Sequence, residues 1–424
     1  MKDFADERLN FKLPVPEWRP PPGVKRRFHA MVKPIGSTCN LDCAYCYYLS
    51  KEQLLEQQHG KRISDELLET FIRQYIEGQD GEQVVFSWQG GEPTLLGLDF
   101  FRKVVELEKK YKKANQRIEN DLQTNGTLLN EQWCQFLHQN NFLVGLSIDG
   151  PRDLHNAYRV TKGKEPTFDK VFAAAKLMKK HGVKFNTLTV VNRLNAKRPL
   201  DVYRFLTRKI GSTYVQFVPC VEPKDFQTTA PQYWKTSKMP VIASPAAKPG
   251  SADSVVTDWS VDPEDWGYFL CRCFDEWYRK DLGRVLVNVF ETAVAQTLGM
   301  PSQICIYGEF CGKGLAVECD GSVFSCDHYV YPEYRLGNIT DKPISEMVFS
   351  NCQKDFGFAK RDTLPQYCRQ CPHLKMCRGE CPKNRLLRTP DGQIGLNYLC
   401  RGLKRFFEHA DPYLKDLARV QNEK

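Results

Sequence analysis

Residues 39–47, CNLDCAYCY, place three cysteines in one short loop directly after an apolar run at residues 28–36. Cys39, Cys43 and Cys46 follow the spacing C-x3-C-x2-C. A structural zinc site and an electron-transfer iron–sulfur cluster both use four protein ligands, so this loop is one ligand short. Spacing alone leaves two interpretations open. One is a [4Fe–4S] cluster with one iron free to bind a small molecule, and the other is a partial zinc site or a set of buried free thiols.

Bulk composition narrows the class of protein. The chain has 424 residues, which exceeds the size of a single hydrophobic core, so we expect two or more domains. The net charge is +9, but the basic residues form no dense run, so we expect no nucleic-acid partner. An apolar signal core and a membrane-length apolar window are both missing from the sequence, which predicts a cytoplasmic protein with no membrane partner. Disulfides are rare in that compartment, so the seventeen cysteines indicate metal binding.

Strand-like apolar runs alternate with amphipathic helical segments through the first half of the chain. This order predicts a parallel α/β sheet with right-handed crossovers. Polar or glycine-bearing motifs follow several successive runs, which favours a barrel or partial barrel over a flat doubly wound sheet, because a barrel gathers its strand ends at one mouth. The six predicted strands are 28–36, 83–90, 118–126, 142–150, 184–192 and 213–222.

Changes in composition suggest the domain boundaries. We predict a proline-rich extension at 1–27, a barrel domain at 28–262, a helical linker at 263–290 and a cysteine-rich domain at 291–424. Within the barrel domain, residues 223–260 are rich in Pro, Ser, Ala and Lys and have no clear period, so we expect an irregular insertion there.

A second group of cysteines lies near the C-terminus. Residues 368–381, CRQCPHLKMCRGEC, have the spacing C-x2-C-x5-C-x3-C, and Cys305, Cys311, Cys326 and Cys400 flank this segment. Eight thiols in two groups of four suit two structural zinc sites or two iron–sulfur clusters. We expect the remaining six to be ordinary thiols: Cys134, Cys220, Cys271, Cys273, Cys319 and Cys352.

The cysteine loop together with the GGEP sequence after the second strand resembles the radical S-adenosylmethionine (SAM) superfamily. That resemblance implies a partial (β/α)6 TIM-like barrel and a SAM-binding [4Fe–4S] cluster on Cys39, Cys43 and Cys46, with SAM itself as the missing ligand. It also implies that the segment made of Gly90, Gly91, Glu92 and Pro93 binds the amino group of SAM.

The C-terminal spacing resembles the SPASM extension, which carries two auxiliary [4Fe–4S] clusters. By that resemblance one cluster is held by Cys305, Cys311, Cys326 and Cys381, and the other by Cys368, Cys371, Cys377 and Cys400. Three longer segments are similar to the anaerobic sulfatase-maturating enzymes within this group: SIDGPRDLHNAYRVTKGK at 147–164, CDHYVYPEYRLGNI at 326–339 and GLNYLC at 395–400.

This family resemblance implies a radical SAM oxidoreductase that converts a Cys or Ser of a sulfatase polypeptide, within a C/S-x-P-x-R motif, to Cα-formylglycine. A 5′-deoxyadenosyl radical takes a hydrogen atom from the substrate Cβ, and a base and an electron acceptor complete the oxidation. Asp327, next to Cys326, corresponds to the catalytic base of the family. Further residues implied to contact SAM are Tyr45, Ser147, Arg159 and Val221, and those implied to contact substrate are Tyr48 and Gln89.

Two other functions are compatible with the same motifs. One is a SPASM enzyme that forms thioether or carbon–carbon crosslinks in a ribosomal precursor peptide, although residues 1–27 are too short and proline-rich for a precursor-recognition domain. The other is a non-catalytic iron–sulfur or zinc protein. Family analogy also implies a flavodoxin or ferredoxin-type electron donor. The sequence does not distinguish a Cys-type from a Ser-type substrate.

Overall fold

The computed structural model describes residues 26–422 apart from 57–58, 232–233, 235–238 and 303. The proline-rich extension predicted at 1–27 therefore lies almost wholly outside the described residues. The strands are β1 (His29–Lys33), β2 (Gln83–Trp88), β3 (Arg117–Thr124), β4 (Leu143–Ser147), β5 (Lys184–Val191), β6 (Tyr214–Pro219), β7 (Leu286–Val287), β8 (Gly314–Glu318), β9 (Ser322–Phe324), β10 (Arg335–Asn338), β11 (Leu387–Arg388) and β12 (Ile394–Leu396).

Helices connect these strands and cover the sheet. Those of the first half are α1 (Lys51–Leu54), α2 (Asp65–Glu77), α3 (Gly97–Tyr111), α4 (Glu131–Gln139), α5 (Arg152–Asn156), α6 (Phe168–Lys180) and α7 (Pro199–Arg204), the last continuing as a π-helical turn over Phe205–Ile210. Those of the second half are α8 (Pro263–Lys280), α9 (Asn288–Thr297), α10 (Ile344–Val348), α11 (Asn351–Asp362), α12 (Gln366–Arg369), α13 (Leu374–Cys377) and α14 (Cys400–Asn422).

One large sheet organises the described chain. Its strand order is β10-β9-β8-β1-β2-β3-β4-β5-β6-β7, and strands β1 to β6 are parallel neighbours in sequence order. All six predicted strands and the parallel α/β partial barrel are thus confirmed. Along β3 and β5 buried positions alternate with partly buried ones, so the two faces of the sheet are not equally covered there.

The cysteine-rich half extends this sheet. Strand β8 pairs in parallel with β1, from His29 opposite Gly314 to Lys33 opposite Glu318, and the antiparallel strands β9 and β10 follow at the edge. At the other edge β7 pairs in parallel with β6. The predicted boundaries at 262 and 290 lie at the N-cap of α8 and inside α9, and the strands before and after them belong to one hydrogen-bonded sheet.

Helix α2 shows how the local sequence produces these elements. The side chain of Ser64 caps it by accepting a hydrogen bond from the Leu67 amide at 3.2 Å, as expected of an N-cap serine. Its buried side chains recur at helical spacing, so one face covers β1 and β2: Leu68, Phe71, Ile72, Tyr75 and Ile76.

The segment predicted as an irregular insertion, 223–260, contains only a single short 3-10 turn at Pro245–Ala247 and isolated bridges among its described residues. It nevertheless contributes to the core, because Ala247, Val255 and Val256 are buried. One bridge joins Val241 to Arg388 in the C-terminal half. The insertion is irregular in backbone and packed through its side chains.

We predict that Gly402→Ala lowers the free energy of unfolding by about 1–3 kcal/mol, because the new methyl group would overpack the contact between helices α8 and α14. A Cβ at Gly402 would lie 2.0 Å from the Pro263 carbonyl oxygen, and one at Gly267 would lie 2.7 Å from the Gly402 Cα. Both neighbours are backbone atoms, so the helices would have to separate. Chemical denaturation measures the change.

Gly314→Ala is the matched control. A Cβ there meets no atom within 4 Å. Its unfolding free energy should stay within about 0.5 kcal/mol of the wild type. Equal destabilisation of both variants would contradict the packing explanation.

Candidate functional site

The three-cysteine loop leaves the end of β1 and is pinned to a distant loop. The Asp42 amide donates to the Val160 carbonyl at 2.8 Å, and the Ala44 amide donates to the Tyr158 carbonyl at 3.2 Å. Within the loop, the Cys46 amide donates to the Cys43 carbonyl at 3.0 Å. These backbone bonds fix the loop at the carboxyl edge of the sheet, where parallel α/β folds place their ligands.

The three thiols of this loop are close enough for the charge of one to change the pKa of another. Burial raises the pKa of Cys43 to about 12, the charge of Arg159 opposes the rise, and the sulfurs of Cys46 and Cys39 add to it. The Leu41 amide and the Asn125 side-chain amide point at the Cys39 sulfur, at 3.4 and 3.8 Å. N–H groups directed at ligand sulfurs are a feature of iron–sulfur sites. The Cys39 sulfur therefore has the N–H donors that a cluster ligand would use.

The GGEP segment packs directly against the cysteine loop. The Gly91 amide donates to the Gly36 carbonyl at 2.8 Å, and the Glu92 amide donates to the Thr38 carbonyl at 2.9 Å. A Cβ on Gly91 would lie only 1.9 Å from the Thr38 oxygen. Gly91 is therefore required by close backbone approach to Thr38, the residue before Cys39. Pro93 begins the short 3-10 turn that leads into α3.

Glu92 is buried, and its carboxylate links the segment after β2 to the end of β3. It accepts hydrogen bonds from Thr94 and Thr124 and from the Asn125 amide, the last at 2.8 Å. Burial raises its pKa, and these hydrogen bonds oppose the rise. The sequence predicts only that this segment binds the amino group of SAM, and the structure adds that the Glu92 carboxylate organises the loop after β3.

Tyr45 and Arg159, both predicted SAM contacts, meet at Asp149. The Tyr45 hydroxyl and the Arg159 guanidinium both donate to Asp149 Oδ2, the latter at 3.0 Å, while the Val190 amide donates to Oδ1 at 3.1 Å. Asp149 is fully buried. The predicted contact Ser147, at the end of β4, accepts a hydrogen bond from Gln123 at 2.9 Å.

The remaining predicted contacts lie around the same edge. Val221 is buried after β6, and its carbonyl accepts a hydrogen bond from Lys383 at 2.8 Å. Gln89 follows β2 and is partly exposed, while Gly90, next to it, has the positive φ of +119° that favours glycine. Tyr48 is buried and its hydroxyl donates to Glu318 at the end of β8.

Asp327 stands where the two halves of the chain meet. Its Oδ1 forms an ion pair with Lys33 at the end of β1, and its Oδ2 accepts a hydrogen bond from the Tyr47 hydroxyl at 2.5 Å. Burial alone would raise the pKa of Asp327, but the charges of Lys33 and His328 and the bonds from Lys33 and Tyr47 lower it to about 2. Asp327 is therefore a carboxylate at neutral pH. The lysine partner carried no recognisable sequence signal.

In each of the two predicted groups of four thiols, one cysteine has its pKa raised by the other three. Burial raises the pKa of Cys326 well above its usual value, and the next contributions come from Cys305, Cys311 and Cys381. The pKa of Cys400 is likewise raised by burial and then by Cys377, Cys368 and Cys371. Cys381 thus lies with the first group even though its sequence neighbours belong to the second. Lys360 holds the loop at Cys305 by donating to the carbonyls of Cys305 and Ile306, at 2.6 and 2.7 Å.

The six cysteines not predicted as ligands lie elsewhere, most of them in the core. Five are buried, namely Cys134, Cys220, Cys271, Cys273 and Cys319, and Cys352 is partly exposed.

No helix in the described ranges is both long and apolar enough to cross a membrane.

Family comparisons identify both halves of the chain. Residues 34–206 match the radical SAM superfamily, and residues 305–372 match an iron–sulfur cluster-binding domain called SPASM. The second match favours iron–sulfur clusters over the zinc sites that spacing had left open. The chain is a radical SAM enzyme with [4Fe–4S] clusters, auxiliary ones included.

Similarity to individual proteins extends over most of the chain. It is 45% identical over 386 residues to the serine-type anaerobic sulfatase-maturating enzyme of Bacteroides thetaiotaomicron, covering 91% of this chain and 90% of that protein. It is 36% identical over 391 residues to the cysteine-type enzyme of Clostridium perfringens, covering 92% and 97%. A solved structure of native anSMEcpe with bound AdoMet and Cp18Cys peptide superimposes with a TM-score of 0.78 at 34% identity, covering 93% of this chain and all of that one.

These matches agree with the open cysteine loop, the two groups of four thiols and the parallel sheet. The chain belongs to the anaerobic sulfatase-maturating enzymes of the radical SAM superfamily.

Proposed function

We propose that this enzyme oxidises a Cys or Ser side chain of a sulfatase polypeptide to Cα-formylglycine. The observation that carries the proposal is the position of Asp327. This carboxylate comes from the SPASM half of the chain and is hydrogen-bonded to Tyr47, next to the cluster ligand Cys46. A base at that point can reach a substrate side chain held in front of the cysteine loop. Both the serine-type and cysteine-type relatives support this reaction.

The cofactor supplies the radical chemistry, and the chain supplies binding and proton transfer. A cluster held by Cys39, Cys43 and Cys46 together with SAM would supply hydrogen-atom abstraction at the substrate Cβ, and an auxiliary cluster would take up the remaining electron. For its part, Asp327 accepts the proton that the substrate must then lose. Lys33 and Tyr47 occupy one oxygen each, so the carboxylate is held in a single orientation. Asp327 also directly follows Cys326, a proposed ligand of the first auxiliary cluster.

The SAM contacts are assigned around the carboxyl edge of the sheet. Gly90, Gly91, Glu92 and Pro93 bind the amino group, and a cation beside Glu92 would offset the burial that raises its pKa. Tyr45, Ser147, Arg159 and Val221 complete the SAM site. Asp149 acts through Tyr45 and Arg159 by orienting both. Tyr48 and Gln89 are assigned to the polypeptide.

The proposed partners are a sulfatase polypeptide with a C/S-x-P-x-R motif and a flavodoxin or ferredoxin-type electron donor. We place the reaction in the cytoplasm, where both would be available. Crosslinking of a precursor peptide is a weaker alternative, because the relatives that match over nine tenths of the chain are sulfatase-maturating enzymes.

The first prediction from the proposed function concerns the product of the reaction. Anaerobic incubation of the cluster-loaded enzyme with SAM, a reductant and a C/S-x-P-x-R peptide should yield an aldehyde, read by mass spectrometry. The Ser peptide loses two hydrogen atoms, and the Cys peptide exchanges sulfur and two hydrogen atoms for oxygen. A peptide with Ala at the reacting position is the control. A crosslinked peptide, or SAM cleavage without any aldehyde, would refute the proposal.

The second prediction concerns Asp327→Asn. Loss of the base should lower the aldehyde formed per SAM cleaved by roughly 100-fold or more, because a positioned base contributes about that much. SAM cleavage itself should continue, since the cysteine loop is unchanged. The matched control is Asp341→Asn, in an exposed turn that follows β10. An unchanged ratio of aldehyde to 5′-deoxyadenosine in Asp327→Asn would remove the base from this position.

The third prediction concerns Gly91→Ala. The added methyl group would meet the Thr38 oxygen at 1.9 Å and displace the neighbouring Cys39. We expect iron per chain to fall by about one third, since one of three clusters is lost while the SPASM thiols stay in place. Gly163→Ala, whose Cβ would lie 3.7 Å from its nearest neighbour, should load normally. Full iron content with normal SAM binding in Gly91→Ala would contradict the close-approach argument.

A further inference from the structure

His328 lies between the proposed base and the first group of four thiols, and the chemistry described above does not use it. It follows Asp327 on the short 3-10 turn Asp327–Tyr329 and is only partly exposed. Its ring nitrogen Nδ1 lies 3.5 Å from the sulfur of Cys381, a residue 53 positions further along the chain. That distance is within the range of a hydrogen bond to sulfur, so the fold brings an imidazole onto a proposed cluster ligand.

The backbone of the same residue reaches a second sulfur. The amide of His328 donates to the sulfur of Cys326, and this bond opposes the rise in the pKa of that thiol that burial causes. Cys326 and Cys381 are assigned to the same auxiliary cluster. One residue therefore directs two nitrogen atoms at two of the four sulfurs in the group, one from its backbone and one from its side chain.

The chemistry of the sulfur decides which atom donates. A cysteine thiolate bound to iron carries no proton and can only accept a hydrogen bond. The proton must then be on Nδ1 of His328, whether the imidazole is neutral or charged. Hydrogen bonds to ligand sulfurs help to set the reduction potential of an iron–sulfur cluster, because they stabilise the reduced form, which carries more negative charge.

Tyr47 fixes the orientation of the imidazole. The two rings pack edge to face, with centroids 5.6 Å apart and an angle of 79° between their planes. The hydroxyl of Tyr47 donates to Asp327, and Tyr47 directly follows the cluster ligand Cys46. A single tyrosine from the three-cysteine loop thus contacts both the proposed base and His328.

We propose that His328 is a positioning residue for electron transfer, whose two hydrogen bonds raise the reduction potential of the first auxiliary cluster. After the hydrogen atom has left the substrate Cβ, the substrate radical loses one electron and one proton. The electron reduces the cluster from [4Fe–4S]2+ to [4Fe–4S]1+, the proton of the hydroxyl or thiol goes to Asp327, and a C=O or C=S bond forms. The proposal rests on the proposed function, since it needs that electron and the assigned cysteine ligands.

The reduction potential of the auxiliary clusters tests the proposal without turnover. The full-length, cluster-loaded chain is titrated with reductant under EPR in a Cys39→Ala/Cys43→Ala/Cys46→Ala background, so that only the two auxiliary clusters respond. His328→Phe keeps a ring against Tyr47 and removes the Nδ1 proton. Reduction of one cluster should become about tenfold less favourable, which is about 59 mV for a one-electron couple. The potential of the other cluster should not change.

His328→Asn is the conservative variant. The amide nitrogen of asparagine is attached to Cγ, as Nδ1 of histidine is, so it can donate to the Cys381 sulfur from nearly the same place. We expect it to restore most of the potential that His328→Phe loses. The matched control is His138→Phe on α4, where Nδ1 lies 3.0 Å from the Gly182 carbonyl oxygen. Both auxiliary potentials should stay at their unsubstituted values in that control.

Pulsed EPR detects the hydrogen bond in the unsubstituted enzyme, so this measurement does not depend on a variant that folds. The protein is labelled with 15N-histidine, loaded with clusters and reduced. One reduced cluster should show a magnetic coupling to a histidine nitrogen. The coupling should be missing in His328→Phe and present in His138→Phe.

Four results would overturn the proposal: no nitrogen coupling in the unsubstituted enzyme, unchanged potentials in His328→Phe, equal potentials in the Phe and Asn variants, or loss of iron from His328→Phe. The last would show that the residue holds the cluster in place rather than setting its potential. With the three-cysteine loop intact, His328→Phe should lower the aldehyde formed per SAM cleaved by two- to tenfold. Absence of aldehyde from the unsubstituted enzyme refutes the proposed function, whereas unchanged potentials refute only the role of His328.

Discussion

Strand β1 pairs in parallel with β8 along its whole length, and this pairing makes a single site from two halves of the chain. Its last pair sets Lys33 opposite Glu318. From β8 the chain turns through β9 and reaches Cys326 and Asp327 within a few residues, beside the loop that β1 feeds. The proposed base and the three-cysteine loop are thus fixed by the register of one pair of strands. A register slip would move Asp327 away from Lys33 and Tyr47, since these contacts depend on strand alignment.

Three buried carboxylates at this junction are each bonded to a side chain from another element. Lys33 forms an ion pair with Asp327, and Arg159 forms one with Asp149. The hydroxyl of Tyr48 donates a hydrogen bond to Glu318. Burying a charge is costly unless a partner and hydrogen bonds compensate it, and leaving one member of a buried pair alone costs more than the pair itself. The arrangement therefore gives a carboxylate one defined orientation rather than extra stability. That property suits a group that must receive a proton at a fixed place.

The SPASM half has a second consequence beyond its thiols. The segment from Asp327 to Tyr334 carries the proposed base at one end and a cluster of aromatic rings at the other. Among the residues that the structure describes, the hydroxyls of Tyr329 and Tyr334 have no hydrogen-bond partner, which is unusual for buried polar atoms.

The sequence by itself determined the parallel sheet, the spacing of every proposed cluster ligand and the family, because strand periodicity and cysteine spacing are local patterns. It also marked Gly91 as a SAM contact, which stays a prediction, whereas the close approach of Gly91 to Thr38 became visible only in the structure. Tertiary structure alone decided the rest. The extension of the sheet by β8, the convergence of Tyr45 and Arg159 on Asp149, the pairing of Lys33 with Asp327 and the contact of His328 with Cys381 all join residues far apart in the chain. No local pattern records such contacts, since they arise only when the strand ends are brought to one edge and their charges must find partners.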